Sequence, residues 1–172
     1  IWAARAARRQ AGVAPVWVRS RWSTPDGDFI HVDRTAPASA PDAPLLVLFH
    51  GLEGSSSSHY AEAFADFAAA NGLGFAVPHF RGCSGELNHA PRAYHSGDFE
   101  EIDWVLQRFA AEAPGRALLA VGVSLGGNAL LRWAAEFGES ASRTVRAVAA
   151  VSSPLDLAAG GHAIGRGFNR LV

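Results

Sequence analysis

The sequence predicts an α/β fold, a parallel sheet with helices on both faces and an antiparallel hairpin at its start. Two observations carry this expectation. Residues 45–49, 74–78, 117–123 and 145–151 are short, continuously apolar runs, the pattern of strands buried on both faces. Between the runs the apolar spacing shifts to three and four residues, so a helix separates each strand from the next. Crossovers of this kind are right-handed, which places successive strands parallel in one sheet.

Each element has its own local reason. Residues 16–24 are rich in β-branched and aromatic side chains, Pro25-Asp26-Gly27 is a turn signal, and residues 29–33 are extended again, which makes a hairpin. Residues 35–44 are rich in Pro, Ala and Ser and read as a surface loop. The first buried run, residues 45–49, ends at His50-Gly51. Tyr60, Phe64 and Phe67 then fall at i, i+4 and i+7, an apolar helix stripe closed by Asn71-Gly72. After the strand at residues 74–78, Phe99, Ile102, Val105, Leu106 and Phe109 mark a second helix. Asp98 and Glu101 are spaced there as a capping box, and Pro114-Gly115 is the stop. Residues 117–123 form a strand, residues 125–137 a helix and residues 145–151 the fourth parallel strand. Asp156 is placed to cap a short helix after Pro154.

Composition removes several chemistries. All fifteen basic residues are arginine. Without lysine, a G-K-[ST] phosphate loop, a pyridoxal Schiff base and a Ser–Lys dyad are excluded. The arginines are scattered in a chain of net charge −1, so no basic stripe points to a nucleic-acid partner. A single cysteine rules out an internal disulfide, and Cys83 reads as a small packed residue in a turn rather than a reactive thiol. No run of about 18 apolar residues exists to span a membrane. The histidines show neither an H-E-x-x-H pattern nor a grouping with carboxylates, so no metal is assigned. The chain does not begin with methionine and is expected to be a piece of a longer protein. With no targeting signal visible, cytoplasmic location is the default expectation.

The strongest chemical signal is Gly122-Val123-Ser124-Leu125-Gly126-Gly127, a G-x-S-x-G pattern between a predicted strand and a predicted helix. Small residues two before and two after the serine permit a very sharp turn, so that Ser124 Oγ projects from the end of the sheet as a nucleophile. The helix beyond aims its first N–H groups at the same place. Alone, the segment also fits a glycine-rich turn that caps a helix. His50-Gly51-Leu52-Glu53-Gly54 adds weight, because it directly follows the first parallel strand, where a second oxyanion donor belongs. The Leu52 and Leu125 amides are the candidate donors, with Gly51, Gly54, Gly122 and Gly126 giving loop and elbow their tight backbone. His50 belongs to the oxyanion loop and is not taken as the catalytic base.

Together, HGLEG and GVSLGGNALLRW, with PHFRGCSGELN and YHSGDFEEIDWVL between them, resemble the α/β-hydrolase superfamily. More narrowly they resemble its YheT-like branch, AB hydrolase family 4. The likeness runs over the whole chain, including the PDGDF hairpin. It implies the α/β-hydrolase fold and a cofactor-free carboxylesterase or acylglycerol lipase that works through a Ser–Asp–His triad on a small ester or lipid. His79 departs from the family pattern, which has asparagine before Phe80-Arg81-Gly82.

In this fold the chain order is serine, acid, histidine, each following a later strand. Six strands are present where the family has eight, so the acid and the base are expected beyond Val172. Asp156 is assigned to a helix cap, and His162 follows it too soon to end another strand. Residues 1–172 are therefore read as the N-terminal portion of one hydrolase domain, with a lid beginning near residue 155 and residues 165–172 cut within it. By itself the piece is expected to be inactive, because an unassisted serine is a poor nucleophile. Two alternatives share the fold: acyl transfer to an alcohol through the same acyl-enzyme, and a non-catalytic scaffold. A dinucleotide-binding oxidoreductase is disfavoured, since Ser124 stands where the pyrophosphate needs glycine and Ser152-Ser153 where the ribose needs an acid. Oligomeric state is left unassigned.

Overall fold

The computed structural model describes residues 14–36, 40 and 42–164. Strands β1 (Val18–Ser23) and β2 (Phe29–Arg34) form the predicted hairpin, paired antiparallel from Val18 opposite Arg34 to Ser23 opposite Phe29. Then follow β3 (Leu45–Phe49), α1 (His59–Ala70), β4 (Gly74–Pro78), α2 (Phe99–Glu112), β5 (Leu118–Val123) and α3 (Leu125–Phe137). A turn of 3₁₀ helix at Gly138–Ser140, the short α4 (Ala141–Thr144), β6 (Ala147–Val151) and α5 (Leu157–Ile164) complete the described chain. The strands lie in the order β1-β2-β4-β3-β5-β6, with β4, β3, β5 and β6 mutually parallel. The α/β class, the hairpin and the strand–helix alternation are thus as expected. Residues 165–172, read from the sequence as cut within the lid, lie outside the described residues.

Because side chains alternate along a strand, β3 feeds two cores. Leu45, Val47 and Phe49 point to one face, where Ile102, Val105, Leu106 and Phe109 of α2 and Ala129, Leu130 and Trp133 of α3 pack. Leu46 and Leu48 point to the other, beneath α1. The hairpin joins the first core through Trp22, whose ring lies 4.9 Å from that of Phe109. Trp133 is fully buried and satisfies its indole N–H on Asp103 Oδ1 at 2.9 Å.

Three local expectations are corrected, and one short helix is added. In α1 the buried face is Ala61, Ala65 and Ala68 rather than the aromatic stripe; Phe67 is 55% exposed. Small side chains let the helix approach the sheet closely, while Tyr60 and Phe64 pack at its flank. The capping box of α2 does not form, because Asp98 accepts from Arg92 Nη2 at 2.7 Å and Glu101 from Arg81 Nε at 2.7 Å. The strand expected to be buried near residues 145–151 is exposed along all five residues of β6, which pairs only with β5 among the described residues. The four-residue α4 was not anticipated; the chain leaves α3 through Gly138, at φ +51°, and coils once more before β6. Asp156 does cap its helix, its Oδ1 accepting from Ala159 N–H at 2.8 Å.

Candidate active site

Ser124 stands between β5 and α3 with φ +52° and ψ −117°. A non-glycine residue in this region costs about 1–3 kcal/mol and persists only where its surroundings over-determine it. Here they do. A Cβ on Gly122 would fall 2.5 Å from Gly126 O and Gly127 Cα. One on Gly126 would collide with the carbonyls of Phe49 and His50, and one on Gly127 with Ser153 Oγ. The elbow is thus pressed against the end of β3 and the segment after β6. Ser124 N–H donates to Val151 O at 2.9 Å, and its carbonyl accepts from Asn128 N–H at 3.1 Å. Leu125, the first residue of α3, has an N–H with no earlier turn of helix to receive it.

The loop after β3 lies against this turn: a Cβ on Gly51 would sit 3.3 Å from Ser124 Cβ. His50 is completely buried. Its Nε2 accepts from Phe80 N–H at 3.0 Å, so its proton resides on Nδ1, which donates to Gly51 O at 2.8 Å. Burial, with neighbouring His79, lowers its pKa to about 4 against the pull of the Gly51 carbonyl. Neutral and committed at both nitrogens, His50 is an organiser of the loop. Leu52 is 68% exposed, and its amide has no hydrogen-bond acceptor among the described residues. Glu53 follows at φ +52°.

His79, the departure noted in the sequence, is buried in a charged cluster that locks the hairpin onto the loops at this end of the sheet. Its Nε2 lies 2.9 Å from Asp33 Oδ2, which also accepts from Ser56 Oγ at 2.6 Å. Arg19 grips Asp33 with Nε at 2.7 Å and Nη2 at 2.8 Å. Burial opposes ionisation of Asp33, but Arg19, His79 and Ser56 together hold it well below the usual carboxylate range. The adjacent Arg81 is buried and binds Glu101, Asp28 at 3.3 Å and Asp26 at 3.0 Å, which ties the Pro25-Asp26-Gly27 turn to α2. Burial raises the Cys83 pKa, in keeping with a packed thiol.

The structure therefore sets the turn of Gly122, Ser124, Leu125 and Gly126 against His50 and Gly51, with Leu52 and Gly54 following in the same loop. No histidine among the described residues hydrogen-bonds to Ser124; His31 is taken by Ser84 Oγ at 2.8 Å and His162 by Ala158 O at 2.8 Å. The contacts of two tyrosines with the site are not legible in the sequence. Tyr60 stands in the sequence as part of a helix stripe, and Tyr94 opens a segment that reads as a pocket-edge loop leading into α2, with no role of its own; both hydroxyls touch the loop after β3, at Gly51 and at Glu53. Nothing local marks either one.

The profile of the family described as alpha/beta hydrolase fold matches residues 44–170. YheT of Escherichia coli (strain K12), named provisionally as an esterase, is 42% identical over 165 residues, 95% of this chain and 47% of that protein. Phospholipase ABHD3 of Mus musculus is 32% identical over 99 residues, 58% of this chain and 24% of that protein. Among solved structures, the Pyrococcus furiosus esterase Pf2001 superposes with a TM-score of 0.69 at 17% identity, over 90% of this chain and 58% of that one, a likeness of fold. The chain spans less than half the length of these curated relatives. The matches bear out the resemblance carried by the motifs.

Proposed function

The chain belongs to the α/β hydrolase fold family, and from that premise we propose that it carries the nucleophile and oxyanion loop of a serine hydrolase that cleaves carboxylic esters, either short-chain esters or acylglycerols. The observation that carries the reading is the strained Ser124 at the strand–helix turn, built over glycines that leave no room for a side chain. Strain of this kind at a serine facing a free helix N-terminus is what an exposed nucleophile requires. The names of YheT, an esterase by designation, and of the phospholipase point to the same ester chemistry.

In this mechanism Ser124 Oγ attacks the ester carbonyl carbon and passes its proton to a histidine, which an acid orients. Both partners are assigned to sequence following residue 172, consistent with every described histidine lacking a bond to Ser124. The carbonyl oxygen takes up the negative charge facing the Leu52 and Leu125 amides; removing one such donor costs about 3 kcal/mol in comparable sites. The C–O bond then breaks, the alcohol leaves with the proton held by the histidine, and an acyl-Ser124 ester remains. Water, deprotonated by the same histidine, attacks the acyl carbon; the acid departs and Ser124 regains its proton. No cofactor enters this cycle.

A fluorophosphonate probe applied to the protein with its native downstream sequence should label Ser124, and Ser124→Ala should abolish both labelling and p-nitrophenyl ester hydrolysis. Absence of labelling in the wild type refutes the proposal and favours a scaffold. Added alcohol that diverts the acyl group into a new ester would identify acyl transfer in place of hydrolysis.

A further inference from the structure

Between His50 and Gly54 the backbone hydrogen bonds single out one amide. Gly51 N–H donates to Tyr60 Oη at 3.0 Å, and Glu53 N–H to Tyr94 Oη at 2.9 Å. Gly54 N–H turns back to Gly51 O at 3.0 Å. Only the Leu52 N–H is left without an acceptor among the described residues. Its direction is also determined. In a planar trans peptide the C=O and N–H point opposite ways, and the carbonyl of the Gly51–Leu52 peptide is Gly51 O. That oxygen is held by His50 Nδ1–H at 2.8 Å and by Gly54 N–H, so the Leu52 N–H is turned to the other side.

We infer that Tyr60 and Tyr94, the two tyrosines of the chain, are positioning residues that clamp the His50–Gly51 and Leu52–Glu53 peptides, one on either side of the Gly51–Leu52 peptide, and keep the Leu52 amide free as an oxyanion donor. This rests on the serine hydrolase reading above. Each tyrosine comes from a different part of the fold. Tyr60 lies in the first turn of α1, and its hydroxyl seats so closely on Gly54 that a Cβ there would collide with it. Tyr94 stacks on Phe80 with ring centroids 5.1 Å apart and planes 7° from parallel, and Phe80 in turn packs edge-on against His50. Its hydroxyl accepts from the Glu53 amide and donates to Glu53 Oε1 at 3.1 Å. That double contact holds Glu53 at φ +52° and opposes rotation of the Leu52–Glu53 peptide. An acceptor on each flanking amide also prevents either from competing with Leu52 for the substrate oxygen.

Tyr60→Phe and Tyr94→Phe remove each acceptor and keep each ring. Two measurements on the protein with its native downstream sequence test the inference. By hydrogen exchange in ¹⁵N-labelled protein, Gly51 and Glu53 amides should be protected and Leu52 exposed, with Tyr60→Phe releasing Gly51 and Tyr94→Phe releasing Glu53. With p-nitrophenyl butyrate as probe, kcat should fall about fivefold to tenfold in each variant while KM stays within twofold, the equivalent of about one hydrogen bond. The fluorophosphonate labelling rate of Ser124 should fall in step, since that reaction loads the same oxyanion position. Unchanged exchange at Gly51 and Glu53 overturns the clamp, as does unchanged kcat or a rise in KM alone. If wild-type Ser124 resists the probe, the hydrolase reading fails and the positioning role falls with it, while the exchange pattern still decides the two tyrosine contacts.

Discussion

Acidification should weaken this fold by way of His50 in a defined pH window. Above pH 6.5 the imidazole is neutral in both the folded and the unfolded chain. As the pH falls through the ordinary histidine value near 6.5, the unfolded chain takes up a proton that the folded one refuses, so stability declines. The decline ends near pH 4, where the buried ring itself titrates. At about 1.4 kcal/mol per pH unit, the gap between those values corresponds to about 3 kcal/mol. The structural cause is plain: a second proton on Nε2 would face the Phe80 N–H, donor against donor, at a completely buried ring. His50→Gln provides the comparison, since it cannot titrate yet can still accept from Phe80. Urea unfolding of both proteins from pH 7.5 to 4 measures the difference. With a slope of about 2 kcal/mol per molar urea, the wild-type midpoint should drop by about 1.5 M relative to the variant. His31, whose pKa burial also lowers, and the raised Glu101 titrate in both proteins and cancel in the difference. Parallel curves would refute the reasoning.

Gly126→Ala should destabilise the protein by at least about 1–3 kcal/mol and abolish Ser124 labelling, because the new methyl meets the carbonyls of Phe49 and His50 rather than a movable side chain. Gly27→Ala, at φ +81° with open space around it, should cost about 1–2 kcal/mol of strain and leave labelling intact; equal effects from the two, read by thermal melts and probe labelling, would contradict the geometry. Arg81→Met strands the buried carboxylate of Glu101, while Asp28 keeps Asn88 and three backbone amides, and should cost about 3–5 kcal/mol at neutral pH in urea unfolding. Burial raises the pKa of Glu101, so its protonation should recover part of that loss as the pH falls; a deficit constant from pH 7.5 to 4.5 would assign the loss to packing instead. Trp133→Ala should cost about 3–5 kcal/mol, and Trp133→Phe about 1 kcal/mol for the lost bond to Asp103, with chemical denaturation separating the two.

Element types were legible because their signals are local. A continuously apolar pentad such as Leu45–Phe49 has no face to offer water, and it is buried throughout. Which helix face packs was less legible. In α1 hydrophobicity pointed to Tyr60, Phe64 and Phe67, but proximity to the sheet selected the alanines, since only a small side chain fits beneath a closely packed helix. Asp98 and Glu101 sit at capping-box spacing, yet Arg92 and Arg81 offer full positive charges where the helix offers only partial ones.

The sequence by itself determined where the proposed chemistry is placed. G-x-S-x-G between a strand and a helix points to a sharp turn with Ser124 at its tip, and the glycines that follow the first parallel strand point to a tight loop beside it. Those are short-range consequences of steric room, written into consecutive residues. The tertiary structure decided what each polar group at the site is committed to. His50 is bound to an amide 30 residues away, His79 to a carboxylate 46 residues away, and Tyr94 to an amide 41 residues away. Such partnerships depend on the register and packing of strands and loops remote in the chain. A hydrogen bond tolerates only a few tenths of an ångström, and no local pattern carries that precision.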